Sequence, residues 1–247
     1  MDLLLDATFK AEQRHFWFQG FRRFVVPLLD RAAGGRTDLT LLDCGCGTGA
    51  NLVLLERYGR AFGIDLTMRG LEYGKSAGLR RLGRASVTDL PFPAAAFDVV
   101  TSFDVIYALT DEQEPRALTE MHRVLRPGGA VVINVAAFPI LRGNHSVLSH
   151  EQRRYTRAML ASRLRAAGFE VQRLTYTNAA LFPLVLGVRL TQRMLGLAAE
   201  HEATSEISVP PRAVNDTLAA VLAGEAAVAR HVDLPFGSSL LCMGRRR

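Results

Sequence analysis

The feature that most restricts the fold is a glycine-rich turn placed directly after a short buried strand. Residues 39–43 form a largely apolar run, and Gly45-Cys46-Gly47-Thr48-Gly49 closes it. Glycine permits a sharp bend and lets a ligand touch the main chain, so the turn predicts a passage from strand to helix beside a bound molecule. Residues 50–58 then have a helical pattern and residues 61–66 a strand pattern. The segment therefore predicts a βαβ unit with a parallel sheet and a right-handed crossover.

The alternation of strands and helices continues to about residue 176. Apolar runs bounded by turn residues predict four further strands, at 85–87, 97–103, 130–136 and 169–176. Helical spacing of apolar residues predicts helices at 70–79, 114–125 and 156–167. Thr156 and Gly168 are suited to cap the predicted helix at 156–167. Arg126-Pro127-Gly128-Gly129 predicts a sharp end of the helix at 114–125.

The N-terminal segment differs from this pattern. Residues 12–33 predict one long helix, ended by Gly34-Gly35 and kinked or broken at Pro27. The aromatic cluster His15-Phe16-Trp17-Phe18 fits either core packing or a lid over a substrate.

The alternation also stops after residue 178. Two helices are predicted at 180–199 and 213–232, before a final strand at 238–243. The helical pair either lengthens a loop or covers the ligand site. We expect the apolar stretch 180–197 to be buried core, with a pocket wall and a membrane contact as alternatives.

Composition narrows the class of protein. The chain has 247 residues, 49% hydrophobic and 22% charged, which suits one large α/β domain with an insertion. Three cysteines and no second half of a zinc site argue against a disulfide framework and a metal centre. The start of the chain lacks the pattern of a signal peptide, and the chain has no long apolar run, so we expect a cytoplasmic protein without a transmembrane segment.

The net charge of +6 does not indicate nucleic-acid binding, because the arginines are dispersed and no basic stripe carries aromatic side chains.

Acidic residues at strand ends decide which ligand the glycine turn suits. Asp65 follows the second strand, 20 residues after Gly45, where a carboxylate can accept both hydroxyls of a ribose. That ribose occurs in NAD and in S-adenosylmethionine alike. Asp43 lies under the glycine turn, where a carboxylate would repel a pyrophosphate and stabilise an ammonium group. The pair therefore favours S-adenosylmethionine, whose methionine part carries an ammonium.

Five short motifs follow one another between residues 41 and 129: Leu41-Leu42-Asp43-Cys44-Gly45-Cys46-Gly47-Thr48-Gly49, Gly63-Ile64-Asp65, Ser86-Val87-Thr88-Asp89-Leu90-Pro91-Phe92, Phe97-Asp98-Val99-Val100 and Arg123-Val124-Leu125-Arg126-Pro127-Gly128-Gly129. In this order they resemble the motifs of class I S-adenosylmethionine-dependent methyltransferases. The resemblance covers roughly residues 38–176. It implies a Rossmann-like α/β fold with a seven-stranded, mostly parallel sheet flanked by helices, the last strand antiparallel, and the N-terminal helix and the insertion as a cap.

The resemblance also implies roles for individual residues. Asp43 would meet the methionine ammonium, Asp65 the ribose and Asp89 the adenine amino group. The turn backbone would line the cofactor, and further contacts are assigned to residues on the turn and after the strands: Gly45, Cys46, Gly47, Gly49, Leu66, Leu90, Phe103 and Asp104. Leu66 and Leu90 fit an adenine sandwich or plain core equally well.

Catalytic candidates follow the fifth strand, beside the crevice of an open α/β sheet. They are His145, His150 and Tyr155, in a segment that resembles a subgroup found with glycan, lipid or natural-product pathways. The histidines titrate in the range useful to a general base, and bracing of the loop is the alternative.

We therefore expect a methyltransferase that acts on a small, fairly apolar metabolite in small-molecule biosynthesis, with an oxygen or nitrogen acceptor favoured. A non-catalytic relative that binds S-adenosylmethionine and an NAD-type oxidoreductase are the alternatives. Peripheral membrane contact and the oligomeric state stay open. The expected organisation is an N-terminal cap (1–37), a cofactor-binding core (38–177), a helical lid (178–234) and a last strand with a basic tail (235–247).

Overall fold

The computed structural model describes residues 2–196 and 207–247, and in these ranges the chain builds one seven-stranded sheet between helices. The strands are β1 (Leu39–Cys44), β2 (Gly59–Asp65), β3 (Leu82–Arg84), β4 (Phe97–Phe103), β5 (Leu125–Ala136), β6 (Phe169–Thr177) and β7 (Ser239–Arg246). The helices are α1 (Asp2–Ala11), α2 (Phe16–Ala33), α3 (Ala50–Leu55), α4 (Met68–Ser76), α5 (Gln113–Val124), α6 (Asn144–Leu148), α7 (Arg157–Ala166), α8 (Phe182–Met194) and α9 (Arg212–Ala229).

The strand order, β3-β2-β1-β4-β5-β7-β6, confirms the predicted sheet. The pairs formed by β1 to β5 are parallel, whereas β7 is antiparallel to both β5 and β6. The direction of the strand order reverses between β1 and β4. In such a sheet the carboxyl ends of the two strands at the reversal open a crevice that receives the ligand.

Both faces of the sheet are covered, which explains the continuous apolar runs of its central strands. Leu41 and Val99 join the core on the side of α2 and α9, whereas their neighbours Leu42 and Val100 join the core on the other side. Because side chains alternate between the two faces of a strand, neighbouring residues of one strand pack into two separate cores, one on each side of the sheet.

Several predicted boundaries are wrong for identifiable reasons. The long N-terminal helix is divided into α1 and α2, because His15 caps α2 by accepting a hydrogen bond from the Trp17 N–H at 3.2 Å. Helix α2 runs unbroken through Pro27. The third strand lies at Leu82–Arg84 rather than 85–87, since these residues pair with the end of β2 and Ser86 turns back to bridge Asp89.

Strand β5 begins at Leu125, five residues before the predicted start at residue 130. Residues 126–129, which were predicted to end the preceding helix, therefore lie in the first half of this strand.

The insertion contains the two predicted helices, but one of them is not buried. Helix α8 buries none of its residues, so the expectation of a core segment at 180–197 is wrong. The last residues of that predicted helix, 197–199, lie outside the described residues. Helix α9 packs along α2, where Leu222 lies against Gly20. Within the described ranges, every helix is too short or too polar to cross a bilayer.

Candidate functional site

The glycine turn lies at the carboxyl end of β1, at the point where the strand order reverses. Gly45, Gly47 and Gly49 have φ angles of 82°, 51° and 85°, in the left-handed region that side chains disfavour. A side chain at Gly45 would also collide with Cγ2 of Val105, which follows β4. Glycine is therefore required at Gly45 both for its backbone angle and for the close approach of β4.

Asp65 joins the end of β2 to this turn. Its Oδ2 accepts the Gly47 N–H at 2.8 Å, and its Oδ1 accepts the N–H and the hydroxyl of Thr67 at 2.8 and 2.5 Å. A carboxylate offers about four acceptor positions, so Oδ2 keeps one for a further donor. Asp65 thus shapes the turn and presents an acceptor beside it.

Asp43 is a buried carboxylate beneath the turn. Its Oδ1 accepts the hydroxyl of Thr101 at 2.7 Å, while its Oδ2 has no hydrogen-bond partner within residues 2–196 and 207–247. Burial, with a smaller contribution from the nearby Asp65, raises the pKa of Asp43 to about 7, against the opposing hydrogen bond from Thr101. A buried acceptor without a donor is costly, so this site is suited to a ligand that brings a positive charge or a donor.

Asp104 lies at the carboxyl end of β4, across the crevice from the turn. Its φ of 59° is unusual for a residue with a side chain, and Asn134 Nδ2 donates to Oδ1 and Oδ2 at 3.0 and 3.1 Å. The side chain is accessible to solvent yet lies deep among protein atoms, and this desolvation raises the pKa of Asp104 to about 7. Strained backbone and a shifted pKa together are typical of functional positions.

Comparison with known proteins agrees with this geometry. Residues 42–133 match the model of a family described as a methyltransferase domain. The fold is shared with an S-adenosylmethionine-dependent methyltransferase from Mesorhizobium loti, with a TM-score of 0.57 and 18% identity over 87% of this chain and 95% of that one.

This chain contains a methyltransferase domain with the Rossmann-like fold of class I S-adenosylmethionine-dependent methyltransferases.

Curated relatives of the methyltransferase domain come from several lineages. A probable S-adenosylmethionine-dependent methyltransferase of Mycolicibacterium smegmatis is 29% identical over 65% of this chain and 62% of its own length. A demethylmenaquinone methyltransferase of Symbiobacterium thermophilum is 35% identical over 56% of each chain. The chain thus spans less than two thirds of the length of these relatives.

The cofactor of this family is S-adenosylmethionine, and the residues present fit it. The unpaired Oδ2 of Asp43 suits the methionine ammonium, the remaining acceptor of Asp65 suits a ribose hydroxyl, and the side-chain-free turn leaves room for close approach to the main chain. No group of three or more His, Cys, Asp or Glu residues in the described ranges is suited to a metal ion.

The other predicted cofactor residues are placed unequally. Leu90 is buried in the core, whereas Leu66 is 58% exposed. Asp89 is exposed. Phe103 packs edge-on against Phe21 of α2, with ring centroids 5.1 Å apart. Cys46 is buried behind the turn, and its burial raises the pKa of the thiol, so its side chain acts as a small apolar group.

Of the three predicted catalytic residues, the structure describes the side chains of Tyr155 and His150, and the two differ in burial. Tyr155 is fully buried, and its hydroxyl lies 3.3 Å from the carbonyl oxygen of Ile106, to which it donates. A substrate cannot reach it there, so the catalytic assignment of Tyr155 is corrected to a core residue. His150 is exposed, with a φ of 51°. His145 belongs to α6, and its side chain lies outside the described part of the structure.

One contact that holds the glycine turn cannot be predicted from short patterns in the sequence. The N-terminal strap, defined as residues 2–15, lies over the glycine turn, and buried Glu12 accepts the hydroxyl of Thr48 at 2.5 Å. Phe9 stacks on Tyr73 of α4 with centroids 4.1 Å apart. Because Glu12 and Thr48 are 36 residues apart, only the folded chain reveals that the strap holds the turn.

Proposed function

We propose that this protein transfers a methyl group from S-adenosylmethionine to a small, fairly apolar metabolite. The observation that carries the proposal is the buried, half-satisfied carboxylate of Asp43 beneath a glycine turn at the reversal of the strand order. A pyrophosphate would meet this carboxylate unfavourably, which argues against an NAD-type oxidoreductase.

The protein's contribution to the reaction is mainly alignment. When bound, S-adenosylmethionine supplies a methyl group already activated on a sulfonium, ready for in-line displacement. The residues of the crevice then have to orient the acceptor and exclude water, and alignment of this kind is worth on the order of 7–11 kcal/mol. In this proposal Asp65 holds the ribose, Asp89 the adenine amino group and the turn backbone the rest of the cofactor.

Asp104 is the proposed general base for acceptors that must lose a proton. It is accessible from the crevice, Asn134 orients both of its oxygens, and its pKa of about 7 matches the range in which a base works at neutral pH. It follows β4 directly beside Val105, which touches the glycine turn. A base placed there adds roughly 10²–10⁴ to the rate with a hydroxyl or ammonium acceptor.

A carbon acceptor on a quinol ring is the second candidate. It is favoured by the relative named demethylmenaquinone methyltransferase. The same base would serve it, because removing a phenolic proton makes the adjacent ring carbon nucleophilic. Asp104 therefore fits oxygen, nitrogen and phenol-activated carbon acceptors.

The remaining parts of the proposal concern the cap and the location of the protein. We propose that the segments of the chain meet at residues 37, 177 and 234 and that the insertion acts as a lid. We also propose a cytoplasmic location. The contact of the N-terminal strap with Thr48 supports a cap over the cofactor at the N-terminal side.

Binding and turnover experiments separate the alternatives. Calorimetry should show binding of S-adenosylhomocysteine and none of NAD. Radiolabelled S-adenosylmethionine offered with phenols, hydroquinones and primary amines should then label at least one acceptor class. Binding without labelling of any class would favour the non-catalytic relative, and binding of NAD would overturn the proposal.

The role of Asp104 needs a matched pair of variants. Asp104→Asn should lower turnover by about 10²–10⁴ while leaving the affinity for S-adenosylhomocysteine intact. Asp38→Asn is the control, because Asp38 is an exposed acid just before the opposite end of β1. Equal turnover of the two variants would contradict the assignment.

A further inference from the structure

Asn215 of helix α9 is a buried amide that bonds the N-terminal part of the chain. It is 5% exposed, and its backbone N–H already bonds the Pro211 carbonyl oxygen. Its side-chain Oδ1 accepts the Phe16 N–H at 2.9 Å, and its Nδ2 donates to the Arg14 carbonyl oxygen at 3.0 Å. Asparagine is a weak helix former, and a buried amide is stable only where it is hydrogen-bonded. Asn215 therefore serves a tertiary contact rather than its own helix.

This contact lies where the N-terminal strap joins α2. The first N–H groups of a helix have no partner within the helix, so they need acceptors from elsewhere. Asn215 supplies one to Phe16, and Nδ1 of His15 supplies another to the Trp17 N–H at 3.2 Å. His15 also forms a hydrogen bond with the backbone of Ser208, in the segment before α9. The start of α2 is thus held at two points from the side of the insertion.

The same part of the strap reaches the glycine turn. The N–H groups of Arg14 and His15 both donate to the Ala11 carbonyl oxygen, at 2.9 and 2.8 Å, so the strap ends in one closed turn. Glu12 lies inside that turn and accepts the Thr48 hydroxyl at 2.5 Å. Because Arg14 and Glu12 belong to one hydrogen-bonded turn, a displacement of Arg14 also moves Glu12 relative to Thr48.

Helix α9 is itself fixed on both sides of this contact. Leu222 is fully buried against Gly20 of α2, so the helix cannot rotate away from the strap. Glu225 accepts the N–H groups of Ala179 and Ala180, both at 2.8 Å, just before α8. One helix therefore bonds both the beginning of the insertion and the strap that lies over the glycine turn.

We propose that Asn215 is a positioning residue for the cofactor: it holds the strap closed over the glycine turn and so lengthens the time that S-adenosylmethionine stays bound. This inference rests on the proposed cofactor site at the turn. A ligand beneath the strap leaves when Glu12 moves away from Thr48, and that movement breaks or strains the hydrogen bonds between Asn215 and the end of the strap.

Stopped-flow measurement of S-adenosylhomocysteine release tests the inference. Asn215→Ala should release this ligand roughly three- to tenfold faster than the wild type, because the closed strap loses the hydrogen bonds of the amide. Thr217→Ala is the control, since Thr217 is exposed on the same helix and its hydroxyl bonds the Ala213 carbonyl oxygen of that helix. It should release the ligand at the wild-type rate.

A second variant guards against a loss of folding. Asn215→Asp keeps the acceptor for the Phe16 N–H but loses the donor to the Arg14 carbonyl oxygen, so it should also release the ligand faster than the wild type. Unchanged release from both variants of Asn215 would overturn the inference. Lower resistance to urea with unchanged release would do the same, because it would leave Asn215 with a structural role alone.

A double-substitution cycle tests the link to the turn. Thr48→Val breaks the other end of the link, so adding Asn215→Ala to it should accelerate release much less than Asn215→Ala does in the wild type. Equal acceleration in both backgrounds would mean that the two residues act independently, and it would refute the link.

Failure of this inference can be told apart from failure of the proposed function. Binding of S-adenosylhomocysteine by the wild type, with equal release rates in all variants, would overturn the inference alone. No binding by the wild type would overturn the proposed cofactor site and the inference together.

Discussion

Replacing Asp43 by asparagine should make the protein without cofactor more stable at neutral pH. The pKa of this carboxyl is raised from 3.8 to about 7, chiefly by burial. Between these two pH values the unfolded chain releases the proton while the folded chain retains it. Stability therefore falls as the pH rises through this window and levels off above pH 7.

The size of the effect follows from the two pKa values. Each pH unit between them costs about 1.4 kcal/mol, so Asp43 lowers the free energy of unfolding by about 4 kcal/mol at pH values above 7. Asparagine does not titrate and carries no such penalty. The difference between Asp43→Asn and the wild type should thus grow by about 3 kcal/mol from about pH 5 to about pH 8. Comparing the two pH values removes any constant cost of the amide.

Urea unfolding of the two proteins without cofactor, at both pH values, measures this change. Asp98→Asn is the control with the opposite sign. Although burial opposes it, the Thr40 N–H and Arg126 hold the pKa of Asp98 below its ordinary value. Asp98 is therefore ionised in the folded and the unfolded chain alike between pH 5 and pH 8, so Asp98→Asn should destabilise the protein equally at both pH values. A difference for Asp43→Asn that is independent of pH would refute the reasoning.

The same carboxylate predicts how the cofactor binds. If an ammonium pairs with ionised Asp43, binding below pH 7 must first remove the proton from this residue. The affinity for S-adenosylhomocysteine should then fall by about tenfold for each pH unit below 7. Calorimetry across this range measures it, and Asp43→Asn should bind weakly without this dependence. A flat wild-type profile would mean that the ammonium lies elsewhere.

Three further substitutions test the turn and its supports. Asp65→Ala should lower the affinity for S-adenosylhomocysteine at least about tenfold, because each hydrogen bond to a charged acceptor is worth about 1.5–3 kcal/mol; unchanged affinity by calorimetry would count against the ribose assignment. Thr48→Val removes the hydroxyl held by Glu12, so S-adenosylhomocysteine should dissociate faster in stopped-flow measurements, and an unchanged rate would show that the strap does not hold the turn. Gly45→Ala forces a left-handed φ on a side chain that collides with Val105, and urea unfolding should show a loss of at least about 1–3 kcal/mol; wild-type stability would show that the turn can relax.

Local patterns in the sequence were sufficient for most of the sheet. Strand β4 occupies the predicted residues 97–103, and the cap of α7 by Thr156 is confirmed by its hydrogen bond from the Met159 N–H. These elements follow from short-range periodicity and capping, which act within a few residues. The third strand was misplaced because its pairing with β2, and not its own weak pattern, defines it.

The sequence by itself determined the order of the elements, the glycine turn and the acids that follow β1 and β2, because parallel strands bring such residues to one edge. Only the tertiary structure decided their chemical state. Asp43 retains a proton near neutral pH because distant residues exclude water from it. Tyr155 is withdrawn into the core and the valines of α9 are left outside. Burial depends on contacts between residues far apart in the chain, and no local pattern encodes those contacts.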